Sequence, residues 1–197
     1  MITSTHVVTN ALIARRRTPT PNTSTRLPEI GERPGWFTIG GFAPDVGLIL
    51  LTVGAGIYFP QVRDMSRSEA MEYAFGTLFY EDPMWLVIQN TLHSPVVVGG
   101  LAVLGRLSNR PRLTAFALGC LLHALIDIPV HHDDGPLVFF PFNWDYRFES
   151  PVSYWDGDHY GNIVGPIDLA ITLIGGAYLA RQWFKNKTFF LTVEFRT

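Results

Sequence analysis

His123 and Asp127 lie four residues apart in an apolar stretch, a spacing that puts both side chains on one face of a helix, where they can share a metal ion or a hydrogen bond. Taken alone, an H-x-x-x-D pair is a weak signal. It gains weight because His93, Asp45 and Asp168 also fall in apolar stretches, and a charge at the centre of a bilayer costs at least ~2.5 to 3.5 kcal/mol unless it finds a partner. Neutral imidazole and carboxylate are ligands for zinc and similar divalent ions, so two histidines and two aspartates suffice to hold one. The plainer reading is an interhelical hydrogen-bonded network. Such pairs are worth only ~0.6 kcal/mol in membrane bundles, a small return for placing both groups there.

The elements that must position these residues are read from hydrophobicity. Four stretches, 36–59, 84–107, 113–130 and 163–184, approach the ~20 apolar residues needed to cross ~30 Å of hydrocarbon. None alternates with period two, so helices are the remaining way to satisfy their backbone in lipid. The expected fold is an all-α polytopic membrane bundle of about four helices. Composition agrees: charged residues are 16% of the 197-residue chain and hydrophobic ones 47%, against roughly 25% charge in a soluble domain. At 1.5 Å per residue, His93 comes out about 13 Å deep and His123 about 15 Å, both near the midplane, with Asp45 about 13 Å from the cytoplasmic face. Asp127 sits one turn outward of His123. Asp168 is shallower, and its plainer reading is a solvated helix-end residue.

Lys and Arg accumulate in cytoplasmic loops. Of the fifteen here, all but Arg63, Arg67 and Arg147 precede the first stretch, join the second to the third or close the fourth. Both termini are therefore expected in the cytoplasm, and the expected location is a bacterial inner membrane. No basic stripe with interleaved aromatics is present, so nucleic acid is not an expected partner. The lone Cys120 excludes an internal disulfide. The first apolar run, 6–14, is followed by Arg15, Arg16 and Arg17, the reverse of a secretory signal.

Segment 18–34, with Pro and Thr repeated, reads as a cytoplasmic linker. Segment 131–160 is dense in aromatic residues and reads as an ordered outer cap at headgroup level. It opens with His131, His132, Asp133 and Asp134, which could bind or screen a divalent cation, although such runs are more often solvated turns. His159 with Asp156 and Asp158 is a weaker case of the same kind. Gly99, Gly100, Gly175 and Gly176 are expected to mark packing faces.

Prolines repeat the pattern: Pro44 adjoins Asp45, Pro95 follows His93 and Ser94, Pro129 follows Asp127, and Pro166 precedes Asp168. Each frees a backbone carbonyl, which is tolerable at membrane depth only where it is buried in protein or lines a cavity. Irregular backbone is expected beside every ionisable site.

Pro44-Asp45, Leu92-His93-Ser94, Leu122-His123-Ala124-Leu125-Ile126-Asp127 and Phe139-Phe140-Pro141-Phe142 resemble motifs of the membrane-bound metal-dependent hydrolases related to zinc-dependent phospholipase C. The resemblance extends to Thr5-His6, where that family also begins with a histidine on a short helix. It implies a metal site, with zinc the expected ion, at His6, Asp45, His93, His123 and Asp127. Ser94 adjoins that set, and His131, His132 and Asp133 stand in the outer loop beside it. With Arg15 at the cytoplasmic surface, a helix running inward would carry His6 ~13 Å deep, matching Asp45. An amphipathic helix lying along the interface is the plainer alternative. Where the fuller family motif has His-Arg this chain has Ile88 and Gln89, and Gly47 replaces the second acidic residue, so the resemblance does not extend to a two-metal site.

The expected activity is a membrane-embedded metal-dependent hydrolysis of a lipid or another amphiphile, at a phosphoester, with Asp127 or Asp45 taking the proton. The competing readings are a degenerate site, a non-catalytic subunit packed against other membrane proteins, and an ion or proton pathway.

Overall fold

The computed structural model describes residues 1–16 and 27–185. Among them the chain is helical, with no strands. The expected linker over 18–26 and the cations Arg17, Arg26, Lys187 and Arg196 lie outside the described residues.

Proline sets most of the helix starts. It occupies the first turn of α2 (Pro28–Glu32), α3 (Pro34–Gly40) and α4 (Ala43–Val62), where a missing N–H costs no intrahelical bond. Part of the stretch read as linker is therefore helical, since α2 packs beside α9. A capping box of Ser66 and Glu69 opens α5 (Arg67–Tyr73), which runs through a π-helical turn, Ala74–Leu78, into α6 (Phe79–Glu81). Asp82 then accepts from the amides of Met84 and Trp85 and starts α7 (Pro83–Asn90). Next come α8 (Pro95–Leu107), α9 (Pro111–Asp127), a 3-10 turn at Ile128–Val130, another at Gly157–His159, and α10 (Gly161–Lys185).

Three helical stretches are long and apolar enough to cross a membrane: Pro34–Val62, Pro111–Val130 and Gly161–Lys185. A fourth counts if α7 and α8 form one span. Those two were expected as one continuous helix over 84–107 and are instead bent by 47° at Thr91–Ser94. The cause is local: Pro95 disfavours the helical region for the residue before it, and Ser94 is extended at φ −73°, ψ 121°. A second break, at Gly41 and Phe42, separates α3 from α4 just before Pro44. After Asp127 the backbone tightens into the 3-10 turn that contains Pro129. Pro166 is the exception, because α10 continues through it.

Polarity is distributed inside out. Leu107 is 80% exposed and Ile174 72%, whereas Thr5, His6, Ser94 and His123 are fully buried. Lipid accepts the apolar exterior, and buried polar groups find their partners only between helices.

The N-terminal helix α1 (Thr3–Arg16) carries a buried stripe of Thr5, His6, Asn10 and Ala14. It lies inside the bundle between α3 and α10 rather than along the interface. The Ile2 amide donates to Asp168 Oδ2 at 2.8 Å, the Thr5 and Thr172 hydroxyls meet at 2.6 Å, and Arg15 donates to Gln182 at 2.9 Å. The partner numbers rise together, so α1 and α10 run parallel. Asp168, read as a solvated helix-end group, is 2% exposed, because α1 covers the face that a count along a single helix leaves open to water.

The tightest crossing is α3 on α9. A Cβ on Gly40 would meet the Phe116 carbonyl and lie 2.8 Å from the Cys120 nitrogen, and one on Gly119 would meet the Phe37 carbonyl. The glycine faces expected at Gly99, Gly100 and Gly176 touch nothing within 4 Å among the described residues, while Gly175 packs against Val8 and Leu12 of α1. The outer segment 131–160 is an ordered cap. Asn90 accepts from the Leu137 amide at 2.8 Å, the Ser94 hydroxyl donates to the Phe140 carbonyl at 2.7 Å, and Leu137 and Phe140 pack on Leu86.

Candidate metal centre

The two helix breaks and the α3–α9 crossing bring the sequence-predicted ligands to one place. Asp45 stands in the first turn of α4, just past the break at Gly41, and His93 stands in the break between α7 and α8. His123 and Asp127 share a face of α9, and α1 delivers His6 from the opposite side. His123 Nε2 lies 3.0 Å from Asp127 Oδ2 and 3.5 Å from Asp45 Oδ1. His93 Nε2 lies 3.2 Å from Asp45 Oδ1 and 3.9 Å from Asp127 Oδ2, and His6 Nε2 lies 2.9 Å from Asp127 Oδ1. Two ligand atoms held at ~2.0 to 2.1 Å by one tetrahedral ion stand roughly 3.3 to 3.4 Å apart, so these spacings bracket what shared coordination requires.

The rings are oriented for that role. His93 Nδ1 lies 2.6 Å from the Gln89 carbonyl and His123 Nδ1 lies 2.9 Å from the Gly41 carbonyl. A carbonyl only accepts, so each Nδ1 carries a hydrogen and each ring turns its Nε2 toward the carboxylates. His6 stacks face to face on His123, with centroids 3.6 Å apart. Among the described residues neither nitrogen of His6 has a hydrogen-bond partner, nor do His123 Nε2 and Asp45 Oδ2, although all are buried. Buried polar atoms normally find partners. Here His6 Nε2 and His123 Nε2 stand 2.9 and 3.0 Å from the Asp127 oxygens, close enough for these groups to share a cation.

Two overlapping triads meet the spacing for a metal ion: His6, His123 and Asp127, and Asp45, His93 and His123, with the ligand atoms of each within 4.8 Å of one another. All five residues implied by the resemblance are thus brought together, and His123 belongs to both triads. The Met1 amino nitrogen also lies 2.9 Å from Asp127 Oδ1 and 2.9 Å from His131 Nε2.

The remaining candidates separate. Ser94 is buried, but its hydroxyl donates to the Phe140 carbonyl and so holds the cap rather than a ligand atom. His131 reaches the centre, with Nε2 3.5 Å from Asp127 Oδ1 and Nδ1 3.0 Å from Asp134 Oδ1. Burial opposes its charge, yet hydrogen bonds with Asp127 and Asp134 outweigh that and raise its pKa. Asp134 is likewise opposed by burial, but His131 and the Trp155 indole hold its pKa down. His132 points elsewhere: Nδ1 donates to the Ser150 carbonyl at 2.6 Å, and its ring stacks on His159 at 3.5 Å. Asp133 is exposed, and His159 pairs with Asp156 at 2.7 Å in the cap.

Asn10 went unnoticed in the sequence. Its amide donates to the carbonyls of Phe37 at 2.8 Å and Gly119 at 3.2 Å, which fixes α1 against α3 and α9 one turn from His6. The signal was available as a polar residue four positions from His6 on one helical face. Gln89, four residues before His93, was legible in the same way.

A cavity of about 500 Å³ adjoins the cluster and is lined in part by Asp45, His93 and Asp127. Comparison with protein families, with curated proteins and with solved structures returns no match.

Proposed function

We propose that this chain is a membrane-embedded, metal-dependent hydrolase of a lipid or another amphiphile, with one divalent ion, zinc by its donor set, held by His6, Asp45, His93, His123 and Asp127. The observation that supports this reading is the convergence of those five side chains, from α1, α4, α9 and the α7–α8 break, with four of their buried atoms, on His6, His123 and Asp45, finding no hydrogen-bond partner among the described residues. A network built only for stability would pair such atoms off. Bound in this donor set, zinc would supply Lewis acidity and lower the pKa of a water toward neutrality.

The protein's own part is orientation and proton handling. The Gln89 and Gly41 carbonyls fix the tautomers of His93 and His123. Asp127 is engaged on both oxygens, by His123 on one side and by His6 and the Met1 nitrogen on the other. Asp45 keeps Oδ2 without a partner among the described residues and lines the cavity, so Asp45 is the better placed of the two carboxylates to take the proton of the attacking water. The charge distribution of the loops supports a bacterial inner membrane with Arg15 and the end of α10 on the cytoplasmic side, whereas Met1, expected there too, lies beside His131 at the opposite end of α1.

Elemental analysis of detergent-purified protein tests the reading. About one zinc per chain is expected in the wild type, with loss in His123→Ala and Asp127→Ala. Metal content unchanged by both substitutions would remove the proposal. The outward glycines Gly99 and Gly100, whose Cβ positions meet nothing, favour a second reading, a packing subunit of a larger membrane complex. Metal-free protein that copurifies in stoichiometric amount with another membrane protein would support it.

A further inference from the structure

The mouth of the cavity differs in composition from its interior. Among the described residues that line it, the exposed ones are Ile2, Ile49, Val53 and Phe75, at 38%, 44%, 55% and 40%, and all four are large and apolar. Every polar or titratable side chain of the wall is buried or half-buried. Ile49 and Val53 share one face of α4 with Ile57, which is 54% exposed and lies beyond the cavity. The rim therefore passes into the outer side of that helix without a polar step. The π-helical turn Ala74–Leu78 adds Phe75 to the rim, and such turns recur at functional sites. At the inner end stand Asp45, His93, Asp127 and His131, with the Met1 amino group 2.9 Å from both Asp127 and His131.

A mouth of this kind selects by route and by shape. A ligand arriving from water would cross a rim whose exposed side chains make no hydrogen bonds, whereas lipid is as apolar as the rim itself. From Asp45 to Val53 the wall of α4 rises about 12 Å at 1.5 Å per residue. An extended chain advances ~1.2 Å per bond, so about ten chain bonds fit between the centre and the rim. The cavity encloses about 500 Å³, within the range of roughly 300 to 1,000 Å³ that holds one drug-sized molecule, so the second chain of a diacyl lipid stays outside. The inner end carries both signs of charge, in the carboxylates of Asp45 and Asp127 and the Met1 amino group. The apolar arm, rather than the charge of a head group, sets the class of ligand.

We propose that the cavity takes a single-chain amphiphile directly from the bilayer, through a lateral mouth formed by Ile2, Ile49, Val53 and Phe75. About ten carbons of its chain lie along Leu48, Thr52 and Phe79, and its head group reaches the metal centre. This deepens the reading of the site as a hydrolytic metal centre and rests on it. A chain gains little from exchanging one apolar medium for another, so binding comes from close contact in the arm and from the head group at the centre.

Photolabelling of purified protein in nanodiscs, with zinc measured on the same samples, tests the assignment. The probes are a medium-chain primary alcohol with a diazirine at mid-chain and a diacyl lipid with the same group in one chain. The readout is labelling of Thr52, which is half-buried, and Phe79, which is buried, relative to the exposed Ile174 of α10. The alcohol is expected to exceed the diacyl lipid at least about tenfold by this ratio, and Ile49→Trp or Val53→Trp, which fill the mouth, to cut its ratio about tenfold at unchanged zinc content. Equal ratios for the two probes overturn the proposal, and so does labelling indifferent to both Trp substitutions. Wild type that carries no zinc yet takes the alcohol at Thr52 and Phe79 sinks the hydrolase reading and keeps the chain site. Zinc-loaded protein in which the two probes label alike sinks this inference alone.

Discussion

His6 and His123 stack ring on ring, 3.6 Å apart and 14° from parallel, although one belongs to α1 and the other to α9. The stack makes α1 a structural part of the centre. His6→Ala is therefore expected to lower zinc affinity at least about tenfold, a loss comparable to disturbing an outer partner of a metal ligand. Competition against a chromogenic chelator measures it. Asn10→Ala, which frees α1 from the Phe37 and Gly119 carbonyls, is expected to give a smaller loss in the same assay. An affinity unchanged in His6→Ala would take α1 out of the site.

The crossing at Gly40 and Gly119 has no room for a methyl group on either side. Gly119→Ala is expected to destabilise the protein by about 1 to 3 kcal/mol through overpacking and to reduce zinc loading with it. Gly99→Ala, at an open position, is expected to stay within ~0.5 kcal/mol. Thermal unfolding in detergent compares the two, and equal effects would contradict the crossing.

Ser94 anchors the cap without touching a ligand. Ser94→Ala leaves the buried Phe140 carbonyl short of a donor and is expected to cost about 1 to 3 kcal/mol. Proteolysis within 131–160 should accelerate while zinc content holds. Zinc loss as large as that of His123→Ala would assign Ser94 to the centre.

The His131–Asp134 pair gives a pH signature in zinc-free protein. The folded pKa of His131 is raised above 6.5, so its contribution is complete below 6.5 and is lost as pH rises through the folded value. That of Asp134 is depressed below 3.8, so its contribution is present above 3.8 and is lost as pH falls through the folded value. The stability difference between wild type and Asp134→Asn is therefore expected to be largest between those limits and to shrink on both sides. A flat difference across a pH series of unfolding midpoints would show the pair to be uncoupled.

Much of the centre was legible because ionisable groups in apolar sequence have few explanations. Depth counted along each stretch placed Asp45, His93 and His123 at a common level, and the i,i+4 spacing tied Asp127 to His123. The prolines marked the breaks at Pro44 and Pro95 that turn Asp45 and His93 inward. A count along one helix says nothing of what covers it, which is why Asp168, sealed by the Ile2 amide and Thr5, read as solvated. For the same reason Gly99 and Gly100 were read as contacts while Gly40 and Gly119 passed unnoticed. Within the run from His131 to Asp134, alternation of direction in a loop has no fixed period. The sequence could not tell that His131 and Asp134 face the cavity while His132 turns to Ser150.

Every anchor of α1 other than its own neighbours is translated after it: Phe37 and Gly119 hold Asn10, and Asp168, Thr172 and Gln182 hold the two ends of the helix. During synthesis Asn10 can be held once α9 is made, but the contacts of α1 with Asp168, Thr172 and Gln182 form only after α10 has left the ribosome. Chains truncated before α10 are thus expected to be inserted but to bind metal more weakly, because His6 would be held less firmly while Asp45, His93 and His123 are already in place.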